Sequence, residues 1–273
     1  FLDDLYAFCD AQGVPLESAI SEYAAGQFEL TLEHKADALR ACDEAIMYKR
    51  IVKEAARLHG IEATFMAKPF ADSAGNGMHL HMSLVDESGA NAFAADDSEG
   101  SPLLRHAIGG MQALLADSFA LFAPNANSYR RFRANSYAPV APTWGVNNRT
   151  VSFRVPAGAP KTRHVEHRVC GADANPYLAV AAVLAAMHHG IVNKLDPGPA
   201  IVGNGYEQAG ASKAAPMPAN WFAAVDRFAG SAVMKDYLGE RFVEVFSTVK
   251  RSEQDRYFAE VPQLDYDWYL RTA

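Results

Sequence analysis

Met78-His79-Leu80-His81-Met82-Ser83-Leu84 alternates apolar and polar residues without a break. A period of two is that of a β-strand with one buried face. The pattern predicts that Met78, Leu80, Met82 and Leu84 enter a core, while His79, His81 and Ser83 share the opposite face. Gly75-Asn76-Gly77 comes just before and permits a tight turn or a close backbone approach. Two imidazoles on one strand face are ready ligands for a metal or a phosphate. On a solvated face they are merely polar side chains, and this stretch alone leaves both readings open.

Other stretches repeat the pattern. From Gln27 the chain alternates again, with Phe28, Leu30 and Leu32 against Glu29 and Thr31. Glu22 precedes Gly26, where a bulge or bend would bring it beside Glu29. Read alone, the two are solvated carboxylates. Residues 63–66 predict a short strand. Arg149 opens a strand from Val151 to Val155, with Val151, Phe153 and Val155 opposite Ser152 and Arg154. In residues 164–169, His164, Glu166 and Arg168 share a face against Val165, His167 and Val169. An acid beside an arginine is usually a salt bridge. The basic run Arg130-Arg131-Phe132-Arg133 reads by itself as a solvated turn.

The remainder is mostly helical. Residues 3–12 predict a short helix ended by Gly13-Val14-Pro15. Asp37 to His59 is amphipathic through Leu39, Cys42, Ile46, Ala55 and Leu58, a packing helix with Gly60 as its C′ residue. Leu103 to Phe122 predicts a helix interrupted at Gly109-Gly110. Asn175-Pro176 starts a helix expected to end at His189, with Gly190 as its cap. His188-His189 suits a metal, or simply a helix end. Trp221 to the C-terminus reads as helical. Residues 86–102, 139–148 and 196–218 read as irregular.

Composition narrows the function classes. The 273 residues are 49% hydrophobic and 21% charged, which is ordinary for a globular chain. A net charge of −7 argues against a general nucleic-acid binder. No apolar run approaches the roughly 20 residues that a membrane span needs. Three widely spaced cysteines, Cys9, Cys42 and Cys170, fit no zinc motif or disulfide framework and point to a reducing, cytoplasmic setting. The first residues form no signal peptide, and the chain reads as the remainder of a longer protein. Strand faces carrying Glu29, His79/His81, Arg154 and Glu166/Arg168 could line one polar pocket. Carboxylates with histidine suit a hard divalent metal such as Mg²⁺ or Mn²⁺, and arginines suit phosphate and carboxylate groups. Together they equip a site for phosphoryl transfer.

Five segments, in order, resemble the glutamine synthetase family: Gly26-Gln27-Phe28-Glu29, residues 64–69, Gly77 to Leu84, Asn147-Asn148-Arg149-Thr150 and Ala174-Asn175-Pro176-Tyr177-Leu178. The resemblance implies an α+β fold over residues 1–273, the family's catalytic domain, with an antiparallel sheet forming an active-site funnel and helices outside. It also implies that the family's N-terminal β-grasp domain is absent from this sequence. Family members form homo-oligomeric rings, usually a dodecamer of two hexamers. By motif position, Glu22 and Glu29 resemble ligands of one metal, and His79 and Glu166 ligands of a second. Arg149 and Arg154 resemble the catalytic, ATP-phosphate arginines. His81 and Ser83 resemble the nucleotide side, and Gly75, Arg131 and Arg168 the glutamate site. The implied reaction uses ATP to convert the glutamate γ-carboxylate to an acyl phosphate, which an amine then attacks.

Two departures from the ammonia-using members bear on the amine. Ala74 stands where they have Asn, with Asn76 nearby as a candidate substitute. Tyr137, in Asn135-Ser136-Tyr137-Ala138-Pro139, stands where they have a flap Glu. Glu166-His167-Arg168 resembles the γ-glutamylputrescine synthetase branch. The resemblance therefore implies ligation of a putrescine-like amine. Ammonia-using glutamine synthetase activity and a non-catalytic structural relative are the alternatives. The retained acids, His79 and four arginines argue against the last of these.

Overall fold

The computed structural model describes residues 1–272 as an α+β fold. An N-terminal unit packs helix α1 (Leu2–Ala11) and helix α2 (Ala38–Leu58) on the antiparallel hairpin of β1 (Leu16–Ser21) and β2 (Phe28–Leu32). Leu5, Cys9, Val14, Ile51 and Val52 form its small core. Strand β1 had no sequence signal, because a register shift between Leu16 and Ser18 breaks its alternation. Asp37 caps α2 by accepting from the amides of Leu39 and Arg40, and Gly60 follows in the left-handed region at φ 66°. Leu39 and Leu58 are exposed; the buried stripe instead runs through Cys42, Ile51, Val52, Ala55 and Ala56.

The main sheet has the order β3 (Leu80–Met82), β6 (Val165–His167), β5 (Phe153–Val155), β4 (Trp144–Val146). It is antiparallel except for the β4/β5 pair, which is parallel. The apolar faces read from the sequence are those that pack: Met78, Leu80, Met82 and Leu84 lie on the main core, and Val151, Phe153, Val155, Val165 and Val169 are fully buried. Ser152 is buried as well, its hydroxyl donating to the Ala141 carbonyl at 2.6 Å. Residues 63–66 form no strand. The Met66 and Ala67 carbonyls are bonded by the side chain and amide of Asn76 instead of by a neighbouring strand.

Behind the sheet lie α3 (Pro102–Phe122), α4 (Pro176–Val192) and α5 (Trp221–Gly230), followed by α6 (Ala232–Leu238), α7 (Glu240–Ala259) and α8 (Gln263–Tyr269). Neither glycine expectation for α3 and α4 holds. Helix α3 continues through Gly109-Gly110, and α4 continues past Gly190. Gly110 and Gly190 are the point where the two helices cross. A Cβ on Gly110 would sit 2.0 Å from the Ala186 carbonyl oxygen, and one on Gly190 would sit 2.0 Å from that of His106. Close approach, not helix breaking, is their use. The 86–102 loop is likewise not wholly superficial, since Phe93 is fully buried in the main core and contributes about 1.5–3 kcal/mol of burial.

Candidate active site

The polar face of the main sheet converges on Glu166, which the strand register places between His81 on β3 and Arg154 on β5. Its carboxylate is buried and engaged by three side chains. Oε1 accepts from Arg168 Nη1 at 2.5 Å and faces His79 Nδ1 at 3.1 Å; Oε2 accepts from Arg154 Nη1 at 2.8 Å. Burial by itself would raise its pKa. The His79 hydrogen bond and the Arg168, His79 and Arg154 contacts outweigh burial and hold it well below the usual carboxylate range. A buried charge of this kind is stable only when paired, and here it has three partners. Loss of hydration lowers the His79 pKa, and Arg168 lowers it further, against the pull of Glu166. His79 is therefore a neutral imidazole at pH 7.

The hairpin brings an acidic pair towards this centre. Glu22 donates its amide to the Gln27 carbonyl across the turn, and Glu29 pairs with Ile20 on β1. Loss of hydration and the neighbouring carboxylates of Glu22 and Glu166 raise the Glu29 pKa, while Arg149 lowers it. Glu22, Glu29, Glu166 and Arg149 thus lie within electrostatic range of one another. Arg149 is exposed and forms no ion pair or hydrogen bond among the described residues. Arg154 is already committed, through Nη1 to Glu166 and through Nη2 to Asn147 Oδ1 at 2.7 Å.

The glycine loop before β3 closes on Arg131. This residue is buried, contrary to the solvated-turn reading of its basic run, and it donates to the Val169 and Arg168 carbonyls at 2.8 and 3.1 Å. A Cβ on Gly75 would meet Arg131 Cγ at 2.9 Å, and one on Gly77 would meet Arg131 Nη2 at 2.7 Å and His79 Nε2 at 3.3 Å. Glycine is what lets the loop lie on the guanidinium. Asn76, the candidate substitute for the Asn missing at Ala74, is engaged within the protein. Its Oδ1 accepts from Gln27 Nε2 at 2.7 Å and its Nδ2 donates to Met66, so it braces the loop against the hairpin.

His81 Nδ1 lies 3.0 Å from His164 Nε2, and His164 Nδ1 lies 2.7 Å from the Thr162 carbonyl. The carbonyl must accept, so His164 carries its proton on Nδ1 and His81 donates to it. The Nε2 lone pair of His81 remains available. Crowding by protein holds the His81 pKa at about 4 although one edge is exposed, with Glu166 raising it and His164 and His79 lowering it. Ser83 is half-buried on the same strand face, forming no side-chain bond among the described residues. At the rim, Tyr137 is 60% exposed with φ 56° and Asn135 has φ 61°. Left-handed backbone at two non-glycine residues makes this flap a strained turn.

Sequence reasoning missed four supporting residues. Gln27 sits inside a recognised motif, but its bond to Asn76 spans loops far apart in the chain. Lys49 carries α2 beyond packing, donating to the Ala172 and Ala174 carbonyls at 2.6 and 3.2 Å and fixing the turn before α4. Asp173 accepts from Asn125 and Ser128 at 2.9 and 2.6 Å and holds the turn that carries Arg131. Tyr206 had no signal at all. His188, by contrast, bonds Tyr237 at 2.8 Å at the end of a helix, far from this cluster in its contacts.

Among the described residues, no three His, Cys, Asp or Glu side chains close on a single metal position. The acids come as one pair, Glu22 with Glu29, and as a single Glu166 beside His79. Glu22 and Glu29 fit a hard divalent cation: their oxygens are the right donors, and a cation would offset the repulsion that raises Glu29. Glu166 offers only the lone pairs that its arginines and His79 leave.

Comparison with known proteins identifies the family. The family model for the glutamine synthetase catalytic domain matches residues 1–269. γ-Glutamylputrescine synthetase PuuA of Escherichia coli strain K12 is 41% identical over 272 residues, 100% of this chain and 57% of that protein. A glutamate–isopropylamine ligase from Pseudomonas sp is 40% identical over 240 residues, 87% of this chain and 52% of that protein. A solved structure of apo GmaS superimposes with a TM-score of 0.88 at 32% identity, over 99% of this chain and 62% of that one. The chain thus spans little more than half the length of the curated relatives it matches. Its match over nearly every residue shows that the chain belongs to the glutamine synthetase family, as that family's catalytic domain.

Proposed function

We propose that this domain catalyses the ATP-dependent joining of the glutamate γ-carboxylate to an alkyl amine, with putrescine or a similar polyamine as the acceptor. The γ-carboxylate oxygen attacks the ATP γ-phosphorus and ADP leaves; the amine then attacks the acyl carbon, loses a proton and displaces phosphate. Arg149, with an unengaged guanidinium, is suited to neutralise the phosphoryl oxygens. Arg154 and Arg168 keep Glu166 ionised in place, and the neutral His79 beside it adds a nitrogen donor. Mg²⁺ or Mn²⁺ held by Glu22 with Glu29, and by His79 with Glu166, would supply charge neutralisation for the phosphates. Gly75, Arg131 and Arg168 shape the glutamate side, and His81 and Ser83 the nucleotide side.

The observation that carries the choice of amine is Tyr137 at the exposed flap. Ammonium is small and strongly hydrated, and its capture calls for a carboxylate that offsets desolvation and accepts a proton. A phenol is neutral at pH 7. It packs well against methylenes, each worth about 0.8 kcal/mol when buried. The same reading places the whole protein in the cytoplasm, as a ring oligomer whose preceding β-grasp domain and neighbouring subunit complete the site. The three cysteines, all free and buried, suit a reducing compartment, and no described helix is long and apolar enough to cross a membrane. The test is phosphate release by the full-length protein from ATP and glutamate with a panel of amines. Release stimulated by alkyl amines supports the reading, and release stimulated only by ammonia replaces it with glutamine synthetase activity.

A further inference from the structure

We propose that residues 201–206 form a clasp that fixes the flap above the site, with the Tyr206 hydroxyl as its positioning group and amine affinity as the property it controls. The link to the amine rests on the ligase reading above. The flap spans Asn135 to Ala138, with left-handed backbone at Asn135 and Tyr137. Such backbone persists only where surroundings hold it. Two side-chain bonds do so. Ser136 Oγ donates to the Arg133 carbonyl at 2.5 Å, within the flap's own stem. The Tyr206 hydroxyl donates to the Ala138 carbonyl at 3.1 Å, from a segment 68 residues away in sequence.

The clasp is anchored at its other end to the turn that carries Arg149. Asn148 Nδ2 donates to the Ile201 and Gly203 carbonyls at 3.1 and 2.9 Å. The Gly205 amide donates to Thr150 Oγ1 at 2.8 Å, and a Cβ on Gly205 would meet that oxygen at 2.8 Å. Asn148 Oδ1 in turn accepts from the Thr150 hydroxyl at 2.6 Å, closing the turn. Arg149 is therefore flanked on both sides by residues that grip the clasp, while the clasp grips the flap. Burial raises the Tyr206 pKa against the pull of the Tyr137 amide, so the hydroxyl remains a protonated donor at neutral pH. The arrangement couples the phosphate side of the site to the flap through one short segment.

The experiment compares full-length wild type with Tyr206→Phe, which keeps the ring and removes the hydroxyl. The KM for the amine should rise about three- to ten-fold, the worth of one hydrogen bond, while the KM values for ATP and glutamate stay at wild type. Hydrogen exchange at the amides of residues 136–138 should accelerate by a similar factor. Thr150→Val, which never touches the flap, should accelerate the same amides by releasing Gly205. Unchanged flap exchange in Tyr206→Phe, or a parallel rise in all three KM values, would overturn the clasp. A wild type lacking ligase activity would count against the proposed function alone, since exchange at residues 136–138 still decides the clasp.

Discussion

Arg154 and Glu166 face each other across β5 and β6, with Nη1 and Oε2 2.8 Å apart. Arg149, five residues earlier, has no such partner among the described residues. Two arginines with one expected role in phosphate binding therefore differ in what else they support.

Substitution should separate them. Arg149→Ala is expected to lower kcat by about 10²–10³-fold, the usual loss of one transition-state donor, with an unchanged melting temperature. Arg154→Ala should lower both, because it takes one of three partners from the buried Glu166, a loss of about 1–3 kcal/mol while Arg168 and His79 still pair it. Steady-state rates and thermal unfolding of the two variants provide the check. Equal melting temperatures in both would contradict the structural role of Arg154.

The acidic pair on the hairpin makes a prediction about metal. Glu29→Gln should raise the Mn²⁺ concentration needed for half-maximal binding by about 10–100-fold, comparable to losses seen on disturbing metal-site partners. Mn²⁺ binding followed by electron paramagnetic resonance in the full-length protein reads this directly. Affinity equal to wild type would remove Glu29 from the ligand set.

His167 should make the fold sensitive to acid. Its ring is buried between Phe122 and Phe153, at centroid distances of 4.5 and 5.5 Å, and burial lowers its pKa to about 3. Between that value and the unfolded value of about 6.5, the unfolded chain binds the proton and the folded chain does not. The contribution of neutral His167 is thus complete above about pH 6.5 and is lost progressively as pH falls towards 3. His167→Gln should lose less melting temperature than wild type between pH 7 and pH 5. An identical loss in both proteins would contradict this.

Gly110→Ala should destabilise the fold by about 3 kcal/mol or more, because its Cβ would meet the Ala186 carbonyl at 2.0 Å and two helix backbones cannot part cheaply. Urea unfolding measures it, and a loss under about 1 kcal/mol would show that the crossing yields easily.

Much of this was legible in the residues themselves. Strict alternation in residues 78–84, 151–155 and 164–169 marks the core-facing sides correctly, because a period of two fixes which residues share a face; it does not show that Ser152, Glu166 and Arg168 on the opposite faces are buried too. The Asn175 cap marks the start of its helix. Local patterns do not carry partners distant in the chain, and the misreadings follow from that. Gly109-Gly110 and Gly190 look like helix breakers until the crossing helix is present. Arg131 looks solvated until the Arg168 and Val169 carbonyls are seen to receive it. The bond between Gln27 and Asn76 is invisible in either motif alone, and Tyr206 is silent until the flap lies against it.

The amine decides most about the proposed function, and Tyr137 is the residue on which it turns. The measurement is kcat/KM for putrescine and for ammonia at matched pH, in the full-length wild type and in Tyr137→Glu. The expected result is a wild-type preference for putrescine of at least about 10-fold, from its buried methylenes, narrowed in Tyr137→Glu. A wild type that uses ammonia more efficiently than putrescine would contradict the polyamine reading.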